Sequence, residues 1–157
     1  MAKLPQPGDS LPDIALTAPD GSAISLGAFA GKKLVLFFYP KDDTPGCTTE
    51  NKDFSALAGD FAACNTALLG ISKDSPARHQ KFIAKYDLTA PLASDAAEGG
   101  LSDALGFWAE KQNYGRTYMG MVRSTVLVGA DGRVARVWSP VKVKGHAEEV
   151  LAAACAL

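Results

Sequence analysis

Six consecutive apolar residues, Leu34-Val-Leu-Phe-Phe-Tyr, lie between Lys33 and Pro40. With no polar residue alternating, such a run reads as a strand buried on both faces, as in a sheet covered on each side. Ala67-Leu-Leu-Gly-Ile-Ser repeats the pattern, and Ser124-Thr-Val-Leu-Val-Gly repeats it again. Helical segments separate these runs: Pro45 to about Leu57, Pro76 to Tyr86, Leu101 to Trp108, and Gly145 to about Ala156. Thr44-Pro45 and Ser75-Pro76 each set a capping hydroxyl before a proline at the first helical position. Pro19-Asp-Gly splits the segment Gly8–Leu26 into a β-hairpin. Asp131-Gly132 turns the third strand back into the alternating segment Arg133–Trp138. Strands alternating with helices and closing on an antiparallel hairpin predict an α/β fold, three layers deep, with a mixed central sheet.

The 157 residues suffice for one domain spanning 1–157 and for a core that needs no staples. Sixteen basic against seventeen acidic side chains leave a net charge of −1, without the cationic excess that a nucleic-acid or polybasic membrane surface requires. The longest uncharged apolar stretches, Leu34–Pro40 and Val150–Leu157, fall far short of the ~20 residues that span a bilayer. No apolar run follows Lys3, so no secretory signal is read and a cytoplasmic location is expected.

Cysteines stand at 47, 64 and 155, with no Cys-x-x-Cys and with only His79 and His146 as further soft ligands. No metal site and no cofactor are expected from that set, and the three thiols are read as separate. Cys47 is the informative one. It falls in the first turn of a helix that follows a buried strand, where ligands gather in α/β sheets and where the helix dipole favours a thiolate. Thioredoxin-type exchange would need a second cysteine at position 50, which is Glu50. A phosphatase loop would need arginine at 53, which is Asp53. A papain-like hydrolase would need a histidine base, and His79 and His146 read as solvated helix residues. A lone thiolate attacking an electrophile that needs no base is left, and a peroxide bond is the obvious one.

The string Tyr39-Pro-Lys-Asp-Asp-Thr-Pro-Gly-Cys-Thr-Thr-Glu resembles the active-site segment of peroxiredoxins of the bacterioferritin-comigratory, or Q-type, subfamily. Leu69-Gly-Ile-Ser-Lys-Asp-Ser, Lys111 through Tyr118-Met-Gly-Met-Val-Arg-Ser-Thr-Val-Leu-Val, and Gly145-His-Ala-Glu-Glu-Val-Leu extend the resemblance over nearly the whole chain. It implies a thioredoxin fold with an N-terminal hairpin extension. It also implies a thiol-dependent peroxidase acting on hydrogen peroxide and small organic hydroperoxides through a Cys47 sulfenic acid. Carried over, Thr44 contacts the peroxide oxygens and Arg123 lies beside the sulfur. Pro40 shields the thiolate from water, and Glu50 helps to hold the arginine.

The chain departs from the subfamily where a resolving cysteine is usual: those positions hold Lys52 and Ile83. Cys64, before the second strand, is read as a structural thiol at the far end of the sheet. Cys155 is considered as a resolving partner between subunits. The expectation is a one-cysteine cycle in which thioredoxin, glutaredoxin or a small thiol reduces the sulfenate, on a monomer or weak dimer. A redox relay passing oxidation from Cys47 to a partner protein is the alternative, and a non-catalytic scaffold a third reading.

Overall fold

The computed structural model describes residues 3–157. Met1 and Ala2, which open the segment read as lacking a secretory signal, lie outside the described residues. Seven strands form one sheet in the order β2 (Ala23–Ile24), β1 (Leu16–Thr17), β5 (Leu92–Ser94), β4 (Thr66–Ser72), β3 (Lys33–Phe38), β8 (Ser124–Val128), β9 (Val134–Trp138). The apolar run becomes its centre, β3 (Lys33–Phe38), parallel to β4 (Thr66–Ser72) and antiparallel to β8 (Ser124–Val128). On β3 the side chains alternate as a strand requires. Val35, Phe37 and Tyr39 enter one core, while Leu34, Leu36 and Phe38 enter the other.

Four helices cover the first face: α1 (Pro45–Ala56), α2 (Ala58–Ala63), α3 (Pro76–Tyr86), and α5 (His146–Ala156). The second face is covered more thinly, by α4 (Leu101–Ala104) and residues of the N-terminal segment. The predicted hairpin is present as β1 (Leu16–Thr17) and β2 (Ala23–Ile24), joined to the sheet by antiparallel pairing of β1 with β5 (Leu92–Ser94). The last predicted strand is β9 (Val134–Trp138), paired to β8. The three layers and the mixed sheet agree with the sequence reading.

Three local expectations fail for identifiable reasons. The helix expected over Leu101–Trp108 ends at Ala104, because Gly106 adopts a φ of 77° that no helix continues through. Trp108 instead starts a two-stranded ribbon of β6 (Trp108–Asn113) and β7 (Arg116–Met121), turned at Tyr114-Gly115 with both φ positive. Thr44 occupies the N-cap of α1 without capping it; its hydroxyl is turned to the Lys41 carbonyl, to which it donates at 2.9 Å. Ser75 does cap α3, accepting from the Arg78 amide at 3.2 Å. Finally, the thiols are not all separate. Cys64, at the end of α2, is bonded to Cys155 in the last turn of α5, with α-carbons 5.2 Å apart. Packing of α5 against α2 brings together two residues 91 positions apart, a proximity that no sequence spacing announces.

Candidate active site

Strand pairing places the parts of the site. Six residues connect the end of β3 to the start of α1, so Cys47 in its first turn stands above the carboxyl edge of the sheet. β8 runs antiparallel to β3 with Ser124 opposite Phe38. Arg123, one residue before β8, therefore arrives at the same edge although 76 positions separate it from Cys47. Cys64, just before β4, lies at the opposite edge, because β4 is parallel to β3.

Cys47 is a free thiol and only 1% exposed. Arg123 Nη2 lies 3.4 Å from its sulfur, and Nη1 donates to Glu50 Oε1 at 2.6 Å. The planar fork thus spans the sulfur and a carboxylate one helical turn further on, a reach that lysine does not have. Gly46 makes room for it: a β-carbon there would sit 3.1 Å from Nη2. Burial works against the Arg123 charge, but Glu50 and Cys47 outweigh it and its pKa is raised. No side chain caps α1 among the described residues, so the Gly46 and Cys47 amides are left to face whatever occupies the site. The Thr44 hydroxyl spends its proton on Lys41 and keeps lone pairs to accept with.

Of the five residues carried over by resemblance, four are brought together: Cys47, Arg123 and Glu50 by direct contact, Thr44 by its place at the head of the same helix. Pro40 stands exposed past β3. Cys64 and Cys155 occupy each other. Neither is available to resolve a Cys47 sulfenate while that bond holds, which corrects the reading of Cys155 as a thiol free to cross subunits. His79 and His146 are buried and not solvated. His146 is engaged with the Thr125 hydroxyl at 2.8 Å, and burial pulls its pKa down to about 4. Lys111 on β6 is near enough to feel both Arg123 and Cys47, and burial lowers its pKa. The sequence offered signals for neither Gly46 nor Lys111 beyond their place inside the quoted strings. A cavity of about 310 Å³ lined by Leu11, Leu26, Phe29, Leu34 and Val128 opens at the start of β3, away from this chemistry.

Glu50 carries a testable electrostatic consequence. Its Oε2 is buried without a hydrogen-bond partner among the described residues. Burial pushes its carboxyl from the ordinary 4.5 up to about 7, and Arg123, reaching only one oxygen, offsets part of that. The folded chain therefore holds this proton more tightly than the unfolded chain. The associated stability is full below pH 4.5 and is lost as pH rises through 7. Glu50→Gln, which cannot ionise, should gain on the parent by up to about 3 kcal/mol between pH 4 and pH 8. Urea midpoints of the two proteins across that range read the gain, and a difference flat with pH would contradict it.

Comparison with known proteins gives a consistent answer. The AhpC/TSA family profile matches residues 7–137. Peroxiredoxin Bcp of Xanthomonas campestris is 45% identical over 141 residues, 90% of this chain and 88% of that protein. Peroxiredoxin Bcp of Bacillus subtilis is 42% identical over 144 residues, covering 92% and 91%. Among solved structures, a variant of peroxiredoxin Q from Xylella fastidiosa superposes with a TM-score of 0.91 at 38% identity, covering 99% of this chain and 98% of that one.

Proposed function

Because the chain belongs to the AhpC/TSA family, with the bacterioferritin-comigratory peroxiredoxins as its relatives, it is a thiol-dependent peroxidase of thioredoxin-like fold; we propose that it works through Cys47 alone. The observation that carries this reading is the contact of Arg123 Nη2 with the Cys47 sulfur, made while the other two cysteines are joined to each other.

In the proposed cycle the Cys47 thiolate attacks one oxygen of the hydroperoxide. The S–O bond forms as the O–O bond breaks, sulfur is oxidised to sulfenic acid, and the leaving oxygen takes a proton to depart as water or alcohol. An external thiol then attacks the sulfenic sulfur and releases water, and a second thiol frees Cys47 as the reductant becomes a disulfide. Thr44 accepts the hydrogen bond of the peroxide O–H. Arg123 and the amides of Gly46 and Cys47 donate to the charge growing on the departing oxygen. Glu50 holds Arg123 in place, and Pro40 opens the loop that leads to α1.

Magnitudes place the rate in these donors. A thiol of ordinary pKa is about 3% ionised at pH 7, so full ionisation gains only about thirtyfold. One well-aimed donor is worth about a hundredfold or more. Hydrogen peroxide and small organic hydroperoxides fit the confined sulfur. The proposed reductant is thioredoxin, glutaredoxin or a small thiol of the cytoplasm. Residues 1–157 are proposed to act as one domain, monomeric or weakly dimeric.

Cys64→Ser/Cys155→Ser tests the one-cysteine cycle. Opening a loop of 91 residues should cost about 4 kcal/mol of stability. Turnover at 25 °C with a small thiol as reductant should stay within about twofold of the parent. Loss of turnover, together with a Cys47–Cys155 cross-link between subunits in the oxidised parent, would replace this cycle with a two-cysteine one.

A further inference from the structure

The loop from Pro40 to Thr44 connects the central strand to the catalytic helix, and α3 grips it at two consecutive residues. His79 on α3 is 0% exposed. Its Nδ1 lies 2.6 Å from Asp42 Oδ2 and its Nε2 lies 3.0 Å from the Ala93 carbonyl. Both ring nitrogens are thus engaged, and the ring is clamped between the Asp42 carboxyl group and the Ala93 carbonyl. The other oxygen of that carboxylate accepts from the Tyr39 hydroxyl at 2.6 Å, and the Asp42 amide donates to Asp74 Oδ2 at 2.8 Å. Burial, aided by Asp42, raises the Tyr39 pKa well above its ordinary value, which keeps the phenol a donor. At the next residue, Asp43 accepts from Lys85 at 2.7 Å and from the Tyr86 hydroxyl at 2.5 Å, both on α3. Asp43 has a φ of 61°, a left-handed conformation that an aspartate holds only when its surroundings impose it. The residues on either side, Lys41 and Thr44, are those joined by the Thr44 hydroxyl bond.

We propose that His79 and Asp42 form a buried positioning pair that fixes the Thr44 hydroxyl relative to the Cys47 sulfur, and so governs attack on peroxides specifically. The inference rests on the reading that Thr44 and Cys47 are the groups that meet substrate. A buried pair bonded at both ring nitrogens suits this task, because it has one arrangement and leaves a buried polar group unpartnered when either member goes. If the pair slackens, the loop is free to relax at Asp43, and Thr44 moves while the sulfur keeps its bond to Arg123. Misplacement of a contacting group by about 1 Å is enough to cost a hundredfold in rate.

The test compares two electrophiles on the same sulfur. Iodoacetamide asks only for an available thiolate; hydrogen peroxide also asks for Thr44. In Asp42→Asn and His79→Ala the rate of Cys47 oxidation by peroxide should fall about ten- to a hundredfold. Alkylation by iodoacetamide should stay within about threefold. The double variant should be no slower than the slower single one, and His79→Gln, which restores one donor, should recover part of the loss. Tyr39→Phe and Asp42→Asn, nearly isosteric, decide the matter where His79→Ala is too unstable to assay. A parallel fall of both rates, or an undiminished peroxide rate in Asp42→Asn, would overturn the positioning role. Peptide mapping of the parent after peroxide separates this from failure of the underlying reading, which would show as oxidation at a residue other than Cys47.

Discussion

Cys47→Ser is expected to consume no peroxide above the uncatalysed background. A serine hydroxyl is protonated at neutral pH and needs a base to become a nucleophile. None is hydrogen-bonded to position 47: Arg123 there is a cation, the Glu50 carboxyl is bonded to Arg123, the Thr44 proton is committed to Lys41, and both histidines are engaged elsewhere. The substitution exchanges a thiol for a hydroxyl at a nearly sealed position beside the Arg123 guanidinium, costing about 1–3 kcal/mol, so the fold should persist. Peroxide consumption by the variant, beside its thermal transition, reads both statements. Turnover near the parental rate in a folded Cys47→Ser protein would move the chemistry to another residue.

Arg123→Ala should slow oxidation of Cys47 by about a hundredfold or more. The residue holds two groups at once, so two effects must be separated. The first is electrostatic support of the thiolate, which becomes irrelevant at pH 10, where an ordinary thiol is ionised without help. The second is donation to the departing oxygen, which no pH supplies. The deficit should therefore persist at pH 10. Rescue to the parental rate there would confine Arg123 to ionisation. Removing the guanidinium also leaves Glu50 buried without its partner, a loss of roughly 3 kcal/mol that Glu50→Gln in the same chain should relieve. Arg123→Lys keeps the charge and loses the fork, so it should restore one contact and not both.

What the sequence made legible was local. The uninterrupted apolar run specified β3, and Pro40, Thr44-Pro45 and Cys47 followed within eight residues, enough to place a thiol at a helix head. Arg123 had no such signal. It reaches the sulfur only because β8 returns antiparallel beside β3, and resemblance alone pointed to it. His79 reads as solvated from its helix alone, since the partner that holds it buried lies 37 positions away in the loop. The bond between Cys64 and Cys155 needed the contact of two helix ends that no pattern of spacing encodes. Trp108 was assigned to a helix because the positive φ at Gly106 and the Tyr114-Gly115 turn are features of the folded backbone.

The central claim is that one sulfur, Cys47, takes the oxygen and nothing within the chain intercepts it. Adding one equivalent of hydrogen peroxide, trapping with a dione that labels sulfenic acids, and mapping non-reduced peptides by mass spectrometry tests this directly. The predicted result is a label on the peptide carrying Cys47 alone, with Cys64 and Cys155 still recovered as one disulfide-linked pair. Recovery of Cys47 in a disulfide with Cys64 or Cys155, with no label trapped, would contradict it.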